Sequence, residues 1–328
     1  MEYVCPITFH DYGIWRLWWP IYIFGILRMK KIGKKLLLLL LIIIGIDQGY
    51  GVVCRHLISH AKGGGIYLNN YICDSITADV LIFGSSKAKN QYDPKILEDT
   101  LGMSVFNCGT HGMGMIYNYG RWKIISKRYV PKVLVYEMLP IVDFMIRDDN
   151  TIFINPLRPY YGKVEGIDSI FWKVDATEKF KMWSKTYQYH DFLEYLSCYR
   201  GGKQPGNGYN IPANTRLDPT TLEPEKDFQY ELDSVKWYYA EKFVKEVSGR
   251  TQLIMAVSPM YSFHDDHGGL TKIKELCKKY DVPVIDHFCD PEFVDNPDLY
   301  IDMAHLNRDG SVKWSKKIAS ELKRFIQP

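Results

Sequence analysis

The chain has 328 residues, enough for two domains or for one large α/β domain with appendages. Hydrophobic residues make up 46% and charged residues 24%, the balance of a globular protein, which excludes a disordered, collagen-like or coiled-coil chain. Lys and Arg number 41 against 38 Asp and Glu, and a net charge of +3 argues against a nucleic-acid partner, whose binding rests on neutralised phosphates.

From Lys30 the chain reads KKIGKK and then passes through eleven apolar residues, 36–46, before Asp47 and Gln48. A basic stretch followed by an apolar one suits a signal peptide or a signal anchor, and a full span needs about 20 residues. This segment reaches that length by running on through Val52 and Val53. No small-x-small cleavage site follows closely, so residues 29–55 are expected to remain attached as a transmembrane helix. Lys30, Lys31, Lys34 and Lys35 on its amino side place residues 56–328 outside the cytoplasm, on the periplasmic or cell-surface side. Upstream, residues 14–27 are apolar but interrupted by Arg16 and Pro20, and residues 1–28 read either as a second short membrane segment or, the favoured reading, as a leader ahead of a start at Met29.

Four apolar runs follow: 78–84 (ADVLIFG), 132–139 (KVLVYEML), 251–259 (TQLIMAVSP) and 282–286 (VPVID). Unbroken runs of this length are typical of parallel strands buried on both faces. Helical patterns occupy 94–101, 113–128, 234–247, 269–280 and 311–325. The alternation predicts a three-layer α/β/α fold with a mostly parallel sheet and a ligand at the carboxyl ends of its strands. It lapses from about 145 to 227, where Pro, Gly and aromatic residues are dense and only 170–199 looks helical. That stretch is read as an insertion lying over one edge of the sheet. Its tyrosines and tryptophans suit either a carbohydrate platform or core.

Three short elements carry chemistry. FGSSKAKN sets Ser85 and Ser86 in the turn after the first strand, where a hydroxyl points out and helix-start N–H groups favour negative charge. VFNCGTHGMG clusters Asn107, Gly109, Gly112 and Gly114, spacing that permits close backbone approach. YIDMAHLNRDG brings Asp302 and His305 three residues apart, and a serine needs such a base oriented by a carboxylate. G-x-G-x-x-G and Walker loops are absent, so no cofactor is expected.

Other residues receive plainer readings. His264, Asp265, Asp266 and His267 form a solvated loop rather than a metal site, and no metal is expected. His111 competes with His305 for the role of base, and Lys87 is read as a surface lysine. The seven cysteines contain no C-x-x-C pair and are read as core thiols, with one or two disulfides left open.

Residues 83–86 (FGSS), 107–112 (NCGTHG) and 302–305 (DMAH) together resemble the SGNH, or GDSL-like, hydrolase superfamily, over roughly residue 79 to the end. The resemblance implies a flavodoxin-like sheet, Ser86 as nucleophile, His305 as base and Asp302 as its partner. It also implies an oxyanion hole from the backbone of Ser86 and Gly112. Ser85 stands where the family usually has Asp, and MLPIVD replaces the expected Gly-x-Asn-Asp, so the side-chain amide of the oxyanion hole is missing. Membrane-anchored GSS-type branches, such as the D-alanyl transfer protein of teichoic-acid modification, are similar. The implied activity is hydrolysis or transfer of an acyl ester on an envelope glycan or another envelope ester. The alternative is a catalytically silent scaffold or glycan-binding protein.

Overall fold

The computed structural model describes residues 13–146, 149–202, 206–222, 231–262, 265 and 268–326. Helix α1 (Gly13–Ser59) leads into α2 (Gly64–Asp74) and β1 (Val80–Gly84). There follow α3 (Ser86–Gln91), α4 (Pro94–Leu101), β2 (Val105–Asn107), α5 (Met115–Ile125), β3 (Val133–Glu137) and α6 (Pro140–Asp143). The insertion contributes a 3-10 helix (Asn150–Tyr160), α7 (Ile167–Val174), α8 (Glu178–Lys181), α9 (Lys185–Gln188) and α10 (Phe192–Arg200). The chain then resumes with α11 (Ser234–Ser248), β4 (Gln252–Val257), α12 (Thr271–Lys279), β5 (Val284–Asp286) and α13 (Arg308–Phe325).

Among the described residues the sheet has five parallel strands in the order β2-β1-β3-β4-β5. Strands β1, β2 and β3 are buried throughout, and alternate residues face opposite layers. Leu81, Phe83, Leu134, Tyr136, Leu253 and Met255 face the layer that includes α5 and α11. Val80, Ile82, Val133, Val135 and Ile254 face α4 and α13, where Trp314, Ile318 and Leu322 are fully buried. The strand order reverses between β1 and β3, and in such sheets the crevice beyond that switch point receives the ligand. Ser86 begins the helix that leaves β1 there.

The expected α/β/α architecture is present, with local corrections. Residues 105–107 form a fifth strand, whose three residues are too few to register as an apolar run. Residues 170–199 are not one helix but parts of four, α7 to α10, and in two of the breaks the Asp175 and Ser184 side chains accept the amides of Thr177 and Tyr187. The upstream interruption is likewise absent: α1 runs through Pro20, and the loss of one ladder bond is absorbed in a helix of 47 residues. The insertion spans a face and an edge. Its first part, the 3-10 helix and α7, packs on α5, whereas its later part meets β2 through the Asn107 amide, which donates to the Asn207 carbonyl (3.1 Å).

Residues 28–59 of α1 are long and apolar enough to cross a membrane. Leu36 to Ile44 and Ile46 project with about half or more of their surface exposed. From Asp47 onward the helix is docked: Tyr50, Cys54, Leu57 and Ile58 cluster with Phe192, Tyr195 and Tyr189 of the insertion. The six described cysteines are all free and mostly buried; Cys5 lies outside the described residues.

Candidate active site

Gly84 closes β1 at φ +139°, and a Cβ there would lie 2.6 Å from the Glu137 carbonyl oxygen, so the turn into α3 needs glycine. Ser86 is the next residue but one. Its Oγ lies 2.7 Å from His305 Nε2, and His305 Nδ1 lies 2.9 Å from both Asp302 oxygens. With a carboxylate on Nδ1, that nitrogen carries the proton and Nε2 is left to accept from the serine hydroxyl. Asp302 Oδ1 also accepts the backbone N–H groups of Ala304 and His305, each at 2.8 Å. Burial raises the Asp302 carboxyl, but these bonds and the His305 ring outweigh it and hold the group below its ordinary range.

The loop bearing the imidazole is fixed from several sides. Ile301 donates to the His305 carbonyl (2.8 Å), and Tyr261 donates to that of Met303 (2.9 Å). Gln91 Nε2, at the far end of α3, donates to the Ala304 carbonyl at 3.0 Å. One helix therefore carries the hydroxyl and also tethers the residue before the imidazole.

Beneath Ser86 lies a buried polar network. Lys87 is fully buried, which corrects its reading as a surface lysine: α3 is too short and too enclosed to offer that position to water. Its Nζ donates to the Ser258 carbonyl (2.7 Å) and stands 3.7 Å from Glu137 Oε1. Ser258 Oγ lies 2.6 Å from Gln91 Oε1 and 2.5 Å from Glu137 Oε1, and Tyr92 donates to the other Glu137 oxygen. Burial pushes the lysine down and the glutamate up, and each partly offsets the other.

The glycine-rich segment stacks against α3. Asn107 donates to the carbonyls of Ala88 (2.7 Å) and Tyr92 (2.9 Å) and accepts from the Gly109 amide (2.9 Å). The Thr110 amide donates to the Gly84 carbonyl (3.1 Å), so the turn holding Gly112, at φ +70°, starts from the end of β1. Arg121, which nothing in the sequence reading singled out, is buried in α5 and clamps this segment. It donates to the Cys108 carbonyl, to Thr110 Oγ1 (3.0 Å) and to the Tyr117 hydroxyl. An arginine within a mostly apolar and aromatic helix, MIYNYGRWKII, was the available signal.

A cleft of about 380 Å³ is lined by Lys89 of α3, by Thr110, His111 and Arg121, and by Asp191 and Glu194 at the start of α10. His111 lines this cleft, and it is His305 that meets the Ser86 hydroxyl. Asp143 seals the turn after β3, accepting from the Tyr136 hydroxyl (2.6 Å) and the Leu139 amide (2.7 Å). His264, Asp266 and His267 lie outside the described residues, and among those described no cluster of three metal-ligating side chains occurs.

No protein-family model and no curated protein matches the chain. Among solved structures it is similar to a protein from Desulfitobacterium hafniense assigned to the G-D-S-L lipolytic family, at 11% identity and TM-score 0.34, over 75% of this chain and 98% of that one. A two-domain esterase active on acetylated mannans aligns at 10% identity and TM-score 0.36, over 81% of this chain and 56% of that one. A family two carbohydrate esterase from Clostridium thermocellum aligns at 13% identity and TM-score 0.31, over 75% and 63%. Overlaps this loose leave the chemistry of this chain to be read from its own residues.

Proposed function

We propose that this chain is a membrane-anchored, serine-dependent ester hydrolase or O-acyltransferase of SGNH type, acting on an acylated envelope glycan or another envelope ester. The observation that carries the reading is the unbroken run of hydrogen bonds from Ser86 to His305 to Asp302. His305 Nε2 takes the proton from Ser86 as its oxygen attacks the acyl carbonyl, and Asp302 supports the imidazolium that forms. The backbone N–H groups of Ser86 and Gly112 receive the oxyanion. Collapse returns the proton to the leaving alcohol and leaves an acyl-serine. Water or a sugar hydroxyl, deprotonated by His305, then releases the acyl group. The cleft lined by Lys89 and His111 receives the rest of the substrate, and α1 holds the domain on the extracytoplasmic side.

The absent amide after β3 favours a second reading, a silent glycan-binding scaffold, since one lost oxyanion donor costs roughly 3 kcal/mol of barrier stabilisation. A fluorophosphonate probe applied to the detergent-solubilised full chain separates the two. Covalent labelling of the parent chain, absent from Ser86→Ala and strongly reduced in His305→Ala, is the expected result. Labelling that persists in both variants, or fails in the parent, rejects the esterase.

A further inference from the structure

We infer that the α8–α9 turn of the insertion, with Phe180 and Trp183 at its tip, is a second membrane-contacting element, seated in the lipid interface beside α1. The inference rests on the proposed anchoring by α1. Its first support is a length deficit. The run 36–46 covers about 16 Å at 1.5 Å per residue, about half of a hydrocarbon core of about 30 Å. Continuing past Asp47 and Gln48 to Val53 brings the length to about 27 Å, and Val52 and Val53 are indeed exposed. Spanning with α1 therefore draws the residues between 47 and 53 into the bilayer's outer part, together with whatever is packed on them.

What is packed on them is this turn. The Asp47 carboxylate accepts from Ser184 Oγ (2.8 Å) and from the amides of Lys185 (2.7 Å) and Thr186 (2.9 Å). A carboxylate that interrupts the apolar stretch is thus spent on the start of α9 rather than presented to lipid. One turn further on, a Cβ at Gly51 would lie 2.7 Å from the Lys185 side chain, so glycine permits the close crossing. Trp183, next in sequence to Ser184, is 80% exposed, and Phe180 is 74% exposed. Large aromatic side chains bare at the depth where a spanning helix leaves the hydrocarbon are the side chains that bilayer interfaces favour.

Nitroxide labels test this in the full chain reconstituted into phosphatidylethanolamine–phosphatidylglycerol vesicles, with the labelled parent chain's signal subtracted. Labels enter through Trp183→Cys and Phe180→Cys, with Leu41→Cys as the bilayer reference and Glu165→Cys as the aqueous one. At 183 and 180, relaxation by oxygen is expected to exceed relaxation by a water-soluble nickel complex several-fold, as at 41. Nickel-dominated relaxation at both, matching 165 while 41 stays in lipid, overturns the inference and leaves the anchor intact. Nickel access at 41 itself overturns the anchor, and the inference with it.

Discussion

An aspartate in an unfolded chain releases its proton near pH 3.8, but Asp143 is pushed up to about 7 by burial, which the bonds from Tyr136 and Leu139 offset only in part. Between those values the folded protein keeps a proton that the unfolded chain has lost. More protons bound in the folded state means that stability falls as pH rises from about 4 to about 7, by at most about 1.4 kcal/mol per pH unit, and levels off above. Glu137, also raised by burial, adds in the same direction. Urea midpoints between pH 4.5 and 8 should therefore fall less steeply in Asp143→Asn than in the parent chain. Parallel slopes would show that the carboxyl is ionised throughout. At this scale the residues legible in sequence were those whose chemistry is tied to chain position: Ser86 after a strand, Asp302 three residues before His305. Lys87, Gln91 and Arg121 were not legible, because their part depends on which strands and loops enclose them.

At the scale of elements, the site depends on how closely α3 and the glycine-rich segment stack. A Cβ on Gly109 would lie 2.3 Å from the Lys89 backbone nitrogen, and backbone cannot swing aside as a flexible side chain can. Gly109→Ala must displace α3, and with it Ser86 relative to His305, so kcat should drop by about 100-fold, the scale expected for a misplacement of about 1 Å. Gly102→Ala is the matched control: its φ of +68° imposes strain, but nothing lies within 4 Å of the added methyl. It should cost about 1 kcal/mol of stability and leave kcat unchanged. Equal turnover in both variants would mean that the stack does not position the hydroxyl. Elements with long apolar runs or firm caps were readable directly, as with α4, where Asp93 caps the start and Gly102 ends the helix. The short strand β2 and the fragmented helices of the insertion escaped because tertiary packing, not local pattern, sustains them.

For the whole molecule, the decisive relation is between α1 and the α/β body docked on it. With α1 in a bilayer, the chain should stay in the pellet when membranes are washed at alkaline pH, whereas a variant with Leu38, Leu41 and Ile44 all changed to Asp should be released. Retention of that triple variant would point to attachment by some other surface. The basic-then-apolar order made legible a helix long and apolar enough to cross a membrane. Its docking was not, since Asp47 reads in sequence as the end of the apolar run and in space as the cap of α9.

That docking has a mechanical corollary. A slack tether would let a catalytic body sweep a hemisphere, but here the stalk and the body share about three turns of packed helix, from Asp47 to Ile58. If α1 spans a bilayer as proposed, Ser86 rides at one altitude over the lipid headgroups and travels only by sliding in the plane. On the proposed function, acyl groups attached higher on a polymer escape it unless the polymer bends down or is served while still short.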